Sequence, residues 1–562
     1  MRQILKHLKD FKLVFFLLPI IYGLLYAFDG WDDSDRGFIP ALCHRIVNGE
    51  LPYLDFLYVR PPGTPFVHAL EMAILPDNIE MLGMRLNFYL FEWLAVLFAV
   101  LTLRRFFSFK ELGIPMYMFA SLAFVMMVHN FPAMPWHTAD GVFFGALGIF
   151  LVTKSGKYYH LIPGLFAMGM AGMCKQNFAL TPVAGIALLF VLYPPKRAII
   201  ATVGGIGAGL AALLLLEVVT PGESILKAMI NQSTGSSSLS DASWGGWQLY
   251  VRPAAATLIP LGGLYYLLKV RMQWAHTGKL FAAIFFLMLV VAAALPIPEM
   301  LEKETFTAPK QLQYNALLFL GGFLAIFYFF FRNRTTTDET AFKARQKGLA
   351  VIVCMCVVGW SVGISWGYAI PALFILPAMF MFVWFLGKKL QFRAPVWFYP
   401  SIIGLCFALF YVGSWYTFRD GSRVQLTHHL GDLFPKLNYI YTTEESYEKH
   451  EEVKELHAQY GDNFTVMPSF PHAHYVLDVM PPLQIDWMQD AEMGYEKGMG
   501  PLVERLETVR PVVFVQKDKE KKAWSKEHHY KSTLLKYVLD NWNMIGETKY
   551  FKVYAQQSKT PA

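Results

Sequence analysis

The sequence predicts an all-α polytopic membrane domain followed by a small α/β domain outside the membrane. Of the 562 residues, 55% are hydrophobic and only 16% are charged, whereas a soluble protein carries nearer a quarter charged residues. Apolar runs long enough to cross about 30 Å of hydrocarbon recur up to about residue 416. Beyond that point, charged segments alternate with short β-rich pieces. We therefore predict a membrane domain at 1–416 and a second domain at 417–562.

Roughly thirteen apolar runs are predicted to span the membrane. They are centred on residues 13–28, 84–103, 113–129, 139–153, 160–174, 177–193, 198–219, 253–268, 280–296, 313–331, 348–363, 368–387 and 395–415. With these runs as spans, every strongly basic loop falls on one side and the acidic loops fall on the other. Basic loops stay in the cytoplasm, which predicts a multi-pass plasma (inner) membrane protein with a cytoplasmic N-terminus. The number of spans is odd. The C-terminal domain is then extracytoplasmic.

The sequence indicates neither nucleic-acid binding nor a cleaved signal peptide. The net charge of +7 does not indicate nucleic-acid binding, because the basic residues occur in short pairs between apolar runs. The first apolar run follows basic residues, but no small-x-small cleavage site comes after it. We interpret that run as a retained signal anchor.

The tail is predicted to form a partly parallel sheet with helices. The segments NFTVMP, PVVFVQ and YFKVYA are rich in β-branched and aromatic residues. Helical patterns near 443–459, 498–508 and 530–541 separate them.

The segment after the first predicted span carries the clearest functional signal. Asp29, Asp32, Asp33 and Asp35 lie within seven residues at the outer end of that span. Neighbouring carboxylates repel one another and are costly near lipid, so the cluster indicates catalysis or cation binding. The alternative is that these acids only solvate the loop. Asp33 and Asp35 are also a candidate ligand pair for Mg²⁺ or Mn²⁺.

The first external loop, 29–82, resembles that of the GT-C glycosyltransferases. Asp35-Arg36-Gly37 precedes a helical stretch, then GELPYLDF follows at 49–56 and Arg60-Pro61-Pro62 follows that. Within the GT-C group the loop looks most like the bacterial branch related to protein O-mannosyltransferases and the lipid A aminoarabinose transferase. Arg36 stands where these families usually have a second acid.

The resemblance implies a function for several residues. It places a catalytic aspartate at Asp35, where a carboxylate would accept the proton of an acceptor hydroxyl. The phosphate that leaves needs fixed cations. Arg60 and Lys175 are the candidates, and Arg252 is a weaker third. Lys175 lies on the outer side, where the positive-inside rule does not favour a lysine. Asp140, at the start of the fourth predicted span, is a candidate for orienting the acceptor or a cation, and helix capping is the structural alternative.

The predicted function is transfer of a sugar from a polyprenyl-phosphate donor to an acceptor hydroxyl at the outer face of the plasma membrane. The expected partners are that donor and a glycan, lipid or protein acceptor, with no organic cofactor and no nucleic acid. A transporter or flippase of lipid-linked sugars is the main alternative, although transporters place their charges near mid-membrane and often show two related halves. A polysaccharide polymerase or ligase is a third reading, but such enzymes usually carry their key loop late in the chain.

Overall fold

The computed structural model describes residues 11–112, 114–128, 131–218, 220, 222–233, 260–277, 339–365, 417–494, 496–525 and 531–556, with isolated positions between 280 and 411. The predicted spans at 280–296, 313–331, 368–387 and 395–415 lie outside these residues apart from single positions. The predicted span at 253–268 lies outside them up to residue 259.

The remaining predicted spans are helical. In chain order the membrane domain contains α1 (Lys12–Tyr26), α2 (Asp35–Val47), α3 (Gly63–Ile74), α4 (Glu80–Phe106), α5 (Met116–Val128), α6 (His137–Lys154), α7 (Tyr158–Cys174), α8 (Leu180–Leu192), α9 (Pro195–Val218), α10 (Ile225–Ser233) and α11 (Glu339–Ser365). Within the described ranges, three stretches are both long and apolar enough to cross a membrane. They are Asp77–Phe106, Pro195–Val218 and Gln346–Gly363.

Helix α6 lies at the centre of the described bundle, packed along both α4 and α7. Phe91 and Phe143 stack with ring centroids 4.1 Å apart, and Phe98 and Phe150 stack at 5.0 Å. Such ring pairs add to the apolar burial that holds α4 against α6.

Helices α2 and α3 form the first external loop between α1 and α4. Helix α3 begins directly after Pro61-Pro62, where the fixed backbone of proline suits the start of a helix. A Cβ at Gly63 would lie 2.7 Å from the carbonyl oxygen of Met173, so only glycine lets α3 begin against the end of α7. This contact brings the turn after α7 beside the first loop.

The tail folds into a mixed sheet between two layers of helix. Its elements are α12 (Glu444–Tyr460), β1 (Phe464–Met467), α13 (Glu496–Val509), β2 (Val512–Gln516), α14 (Thr533–Asn541), β3 (Asn543–Glu547) and β4 (Phe551–Ala555). The strand order is β1-β2-β4-β3, with β1 and β2 parallel and the other pairs antiparallel. Helix α12 packs on one face of the sheet, and α13 and α14 pack on the other. The three predicted helices and three predicted strands are confirmed, and β3 is an addition.

The tail sits directly on the first external loop. The indole Nε1 of Trp31 donates to Nε2 of His472 at 3.0 Å. A Cβ at Gly37 would lie 2.2 Å from Nδ1 of His472, so the glycine lets this ring approach α2. Trp31 and Gly37 of the loop therefore both help to position the tail.

A buried ion pair strengthens this interface. The Arg45 guanidinium, on α2, donates from Nε to Oδ2 of Asp486 at 2.7 Å and from Nη2 to Oδ1 at 3.2 Å. It also donates to Glu50 and to the carbonyl of Leu483, each at 2.6 Å. The Arg45 and Asp486 side chains are 1% and 2% exposed, so neither charge can be satisfied by water. Their pairing is required wherever the tail is docked.

Arg45→Met should detach the tail from the first loop. The substitution leaves the buried Asp486 carboxylate without its cation, and removing one partner of a buried pair costs about 3–5 kcal/mol. We expect a fall of that size in the unfolding free energy of the full chain, measured by chemical denaturation in detergent. Arg505→Met is the matched control, because Arg505 is exposed on α13 and donates only to a backbone carbonyl, that of Pro482. Equal stability of the two variants would contradict this role for Arg45.

Candidate active site

Asp32 fixes the start of the helix that carries Asp35. Its carboxylate accepts from the backbone N–H groups of Asp35 at 2.9 Å and Arg36 at 3.1 Å, and from the hydroxyl of Ser34 at 2.5 Å. A side-chain oxygen that accepts from the first turn satisfies N–H groups that lack a partner inside the helix. Of the four acids in the cluster, Asp32 therefore caps α2 and sets the backbone position of Asp35.

The other three acids are paired with basic residues from the tail. Asp29 contacts Arg423, with the Arg Nε 3.0 Å from Oδ2. Asp35 contacts Arg419, with Nη1 2.5 Å from Oδ2. Each acid of the cluster that does not cap the helix thus receives a cation from residues more than 380 positions later.

Asp33 is held by three side chains of the tail. Lys449 lies 3.1 Å from Oδ2, Lys519 contacts Oδ1, and the Gln516 amide donates to Oδ2 at 2.7 Å. Burial alone would raise the pKa of Asp33, but the two lysines outweigh it and hold the pKa well below its usual range. Asp33 is therefore an ionised group that docks the tail onto the loop.

Asp35 occupies a different environment. It is 5% exposed, and burial raises the pKa of its carboxyl to about 6 against the opposing effect of Arg419. Its Oδ2 makes the ion contact with Arg419 but no aligned hydrogen bond with any described residue. A carboxylate with a pKa near neutrality and a lone pair not used in hydrogen bonding is suited to accept a proton.

Arg60 lies in the same electrostatic environment. Its two terminal nitrogens donate to the two carboxylate oxygens of Glu492, in the loop before α13. Its guanidinium also lies over the ring of Phe38, 5.4 Å from the centroid. Burial would lower the pKa of Arg60, but Glu492 more than offsets it and the pKa is raised. The charges of both Arg60 and Glu492 act on Asp35.

Lys175 follows α7 and faces this group of charges. The neighbouring Gln176 donates to the carbonyl of Val59 at 2.7 Å, which ties the turn to the residue before Arg60. Burial, then the charge of Arg60, lowers the pKa of Lys175 to about 7. Asp35 and Glu492 also act on Lys175. The structure thus brings the predicted base and both predicted phosphate ligands within electrostatic reach of one another.

Asp140 belongs to a separate network between α3 and α6. It accepts from the Thr64 hydroxyl at 2.7 Å and contacts Nε2 of His68 at 3.3 Å. Nδ1 of His68 contacts Glu71 at 2.8 Å. Burial opposes protonation of His68, but the two carboxylates raise its pKa to about 10. Asp140 therefore holds an imidazolium, which ties α3 to α6, and its predicted role toward the acceptor stays a prediction.

The remaining candidates are placed as follows. Arg36 donates to the carbonyl oxygens of Asp29, at 2.8 Å, and Gly30, so it turns inward from the position where the related families carry an acid. Arg252 lies outside the described residues. The Asp33–Asp35 metal pair stays a prediction, and a bridging cation would have to displace lysines from Asp33. No cluster of three or more potential metal-binding side chains occurs in the described part of the chain.

Arg419, Glu492 and His68 are site residues that the sequence did not reveal. Arg419 and Glu492 lie in the tail, and no local pattern sets them apart from surface charges. His68 and Glu71 are three residues apart on a helix, a spacing that puts them on one face. That spacing is the signal that could have identified this pair.

Comparisons with known proteins concern the architecture. No protein-family model and no curated protein matches the chain. The oligosaccharyltransferase of Archaeoglobus fulgidus, in a complex with zinc and sulfate, aligns with 97% of this chain and 73% of its own at 12% identity and a TM-score of 0.47. The archaeal oligosaccharyltransferase AglB from Archaeoglobus fulgidus, with an inhibitory peptide and a dolichol-phosphate, aligns with 99% of this chain and 75% of its own at 12% identity and a TM-score of 0.45.

ArnT from Cupriavidus metallidurans, in the apo state, aligns over 97% of both chains at 11% identity and a TM-score of 0.41. These neighbours are GT-C fold glycosyltransferases, the group that the first loop resembles.

Proposed function

We propose that the chain is a membrane glycosyltransferase that moves a sugar from a polyprenyl-phosphate carrier to an acceptor hydroxyl. The single observation that supports this most is the placement of Asp35. It is a buried carboxylate with a raised pKa, and the half-buried cations Arg60 and Lys175 share its electrostatic environment. The site lies in the loop between two apolar helices, where a lipid-linked phosphate can reach it.

The proposed step is a direct displacement at the anomeric carbon. The acceptor oxygen forms a bond to that carbon while the bond to the phosphate oxygen breaks. Asp35 takes the hydroxyl proton as its oxygen attacks, a contribution worth about 10²–10⁴-fold for a positioned base. The bonding electrons leave with the carrier phosphate, whose charge Arg60 and Lys175 stabilise.

We further propose that this reaction occurs at the outer face of the plasma membrane. The distribution of basic and acidic loops supports that side, with the N-terminus in the cytoplasm and the tail outside. Arg419 and Glu492 belong to the tail and contact Asp35 and Arg60. The tail must therefore share the compartment of the first loop.

A flippase of lipid-linked sugars remains the second candidate, and one residue favours it. Glu92, in the middle of α4, is 1% exposed, and neither carboxylate oxygen has a hydrogen-bond partner among the described residues. Ionisable groups within a span often mark transport pathways. A flippase forms no new glycosidic bond, so analysis of products separates the two functions.

Asp35→Asn should abolish transfer without unfolding the protein. The amide keeps the size of the side chain but cannot accept the proton, so turnover should fall by at least about 10²-fold. Cells lacking the gene would be complemented with each variant, and their polyprenyl-phosphate sugars and envelope glycans compared by mass spectrometry. We expect Asp35→Asn to match the empty vector, with unused lipid-linked sugar accumulating.

Asp55→Asn is the matched control. Asp55 lies in the same loop but is exposed, and it accepts from the backbone N–H of Leu51 at 2.8 Å, which an asparagine can also do. This variant should restore wild-type glycans, and Asp33→Asn should lose less activity than Asp35→Asn. Wild-type glycans from Asp35→Asn, with none from Asp33→Asn or Asp140→Asn, would show that Asp35 is not the base.

The acid limb of the pH dependence should follow the ionisation of Asp35. The base acts only when ionised, so the rate should rise with pH through about 6, the pKa of Asp35, and fall away below it. Arg419 lowers that pKa, so Arg419→Gln should move the rise to higher pH. Arg423→Gln is the control, because Arg423 is similarly exposed but pairs with Asp29. An identical pH profile for Arg419→Gln and wild type would contradict the assignment of this limb to Asp35.

A further inference from the structure

The Glu492 carboxylate is paired with the guanidinium of Arg60, the group that the proposed function assigns to binding a phosphate. Both terminal nitrogens of Arg60 donate to Glu492, one to each oxygen. Arginine binds carboxylates and phosphates with this same forked geometry. The side chain of Glu492 is only 10% exposed, so water does not compete with the contact. Both terminal nitrogens of Arg60 are thus engaged by a carboxylate of the tail.

The loop that carries Glu492 is anchored by the residues that precede it. Before it, the backbone N–H of Leu57 donates to the carbonyl of Gln484 at 2.7 Å, and Trp487 packs edge-on against Phe38 at 5.1 Å. Closer still, the Asp490 carboxylate accepts from the backbone and hydroxyl of Thr533, each at 2.7 Å. Since these anchors do not involve the Glu492 side chain, that side chain can leave Arg60 while the tail stays docked.

The surrounding charges disfavour two anions on Arg60 at once. Asp35 and Glu492 are the acids that act on Lys175, and Arg60 is the cation that lies with them. Arg419 already pairs with Asp35, so a phosphate added while Glu492 remained would have to share the Arg60 guanidinium with that carboxylate. Like charges at such short range are strongly unfavourable in a buried site.

We propose that Glu492 is an internal substitute for the carrier phosphate, and that the phosphate binds by displacing it from Arg60. This inference rests on the proposed function and adds a specificity-determining residue to the same site. Glu492 keeps Arg60 paired while the site is empty, and it returns when the phosphate leaves. It thereby weakens binding of the carrier and favours release of the spent polyprenyl phosphate.

The test is a double-mutant cycle on binding of undecaprenyl phosphate to the full chain in detergent micelles. Undecaprenol, which lacks the phosphate, measures binding of the lipid tail alone. Glu492→Gln removes the competing charge, and we expect it to tighten phosphate-dependent binding about tenfold, as for loss of one charge-assisted contact. Arg60→Gln should weaken that binding about 10–100-fold. In the Arg60→Gln background, Glu492→Gln should change affinity less than about twofold, because the two residues act through one contact.

Glu50→Gln is the matched control, since Glu50 also pairs with an arginine of the first loop, Arg45, at 2.6 Å. Its affinity for undecaprenyl phosphate should equal that of wild type. Glu492→Asp provides a second variant in case the glutamine variant is unstable. Its shorter side chain pairs less well with Arg60, so the affinity for undecaprenyl phosphate should rise, but by less than in Glu492→Gln.

Three results would overturn the inference. Phosphate-dependent binding that is unchanged or weaker in Glu492→Gln would show that the ion pair is only a structural brace. An equal gain in the wild-type and Arg60→Gln backgrounds would show a general charge effect. Either of these would leave the proposed function standing. If no variant, wild type included, distinguishes undecaprenyl phosphate from undecaprenol, both the inference and the proposed function fail.

Discussion

The candidate site depends on the charged contact between the first external loop and the C-terminal domain. Burying an ion is costly unless a partner of opposite charge is supplied. The loop provides buried acids and arginines, and the tail provides their partners. Arg419 reaches Asp35, two lysines reach Asp33, and Glu492 reaches Arg60. Neither half could keep these side chains dehydrated alone.

This contact also gives a physical account of the acidic cluster. Four acids within seven residues repel one another, which in the sequence indicates a bound cation or catalysis. In the structure the cations are protein side chains, because Arg423, Arg419, Lys449 and Lys519 each pair with one of the acids. Burial raises the pKa of Asp35 to about 6 against the effect of Arg419. The cluster therefore has a structural role at three positions and a proposed chemical role at one.

The sequence predicts local structure well where the pattern is periodic or strongly apolar. Helices α4, α6 and α9 follow from long, mainly apolar runs, and β1, β2 and β4 from runs of β-branched and aromatic residues. Strand β3 was missed because Asn543 and Gly546 are poor strand formers, and only its pairing with β4 makes it a strand.

Only part of the candidate site could be predicted from local sequence patterns. Asp35, Arg60 and Lys175 were found by their positions near the ends of apolar runs and by resemblance. Glu492 and Arg419 were not, because contacts between residues about 400 positions apart leave no local signal. The sequence also did not show that Asp32 caps α2. Four neighbouring aspartates are chemically alike, and only the backbone conformation determines which one reaches the N–H groups of the helix.

Arg60 and Lys175 are proposed to receive the carrier phosphate beside Asp35. The most direct measurement is a structure of the full chain in nanodiscs with undecaprenyl phosphate bound, determined by electron cryomicroscopy. We predict phosphate density between the Arg60 guanidinium and the Lys175 ammonium, with the lipid tail running along the apolar helices and Asp35 on the side of the free phosphate oxygens, where the sugar is carried in the donor. A phosphate bound at basic residues on the opposite side of the membrane, with Arg60 and Lys175 out of its reach, would contradict the account.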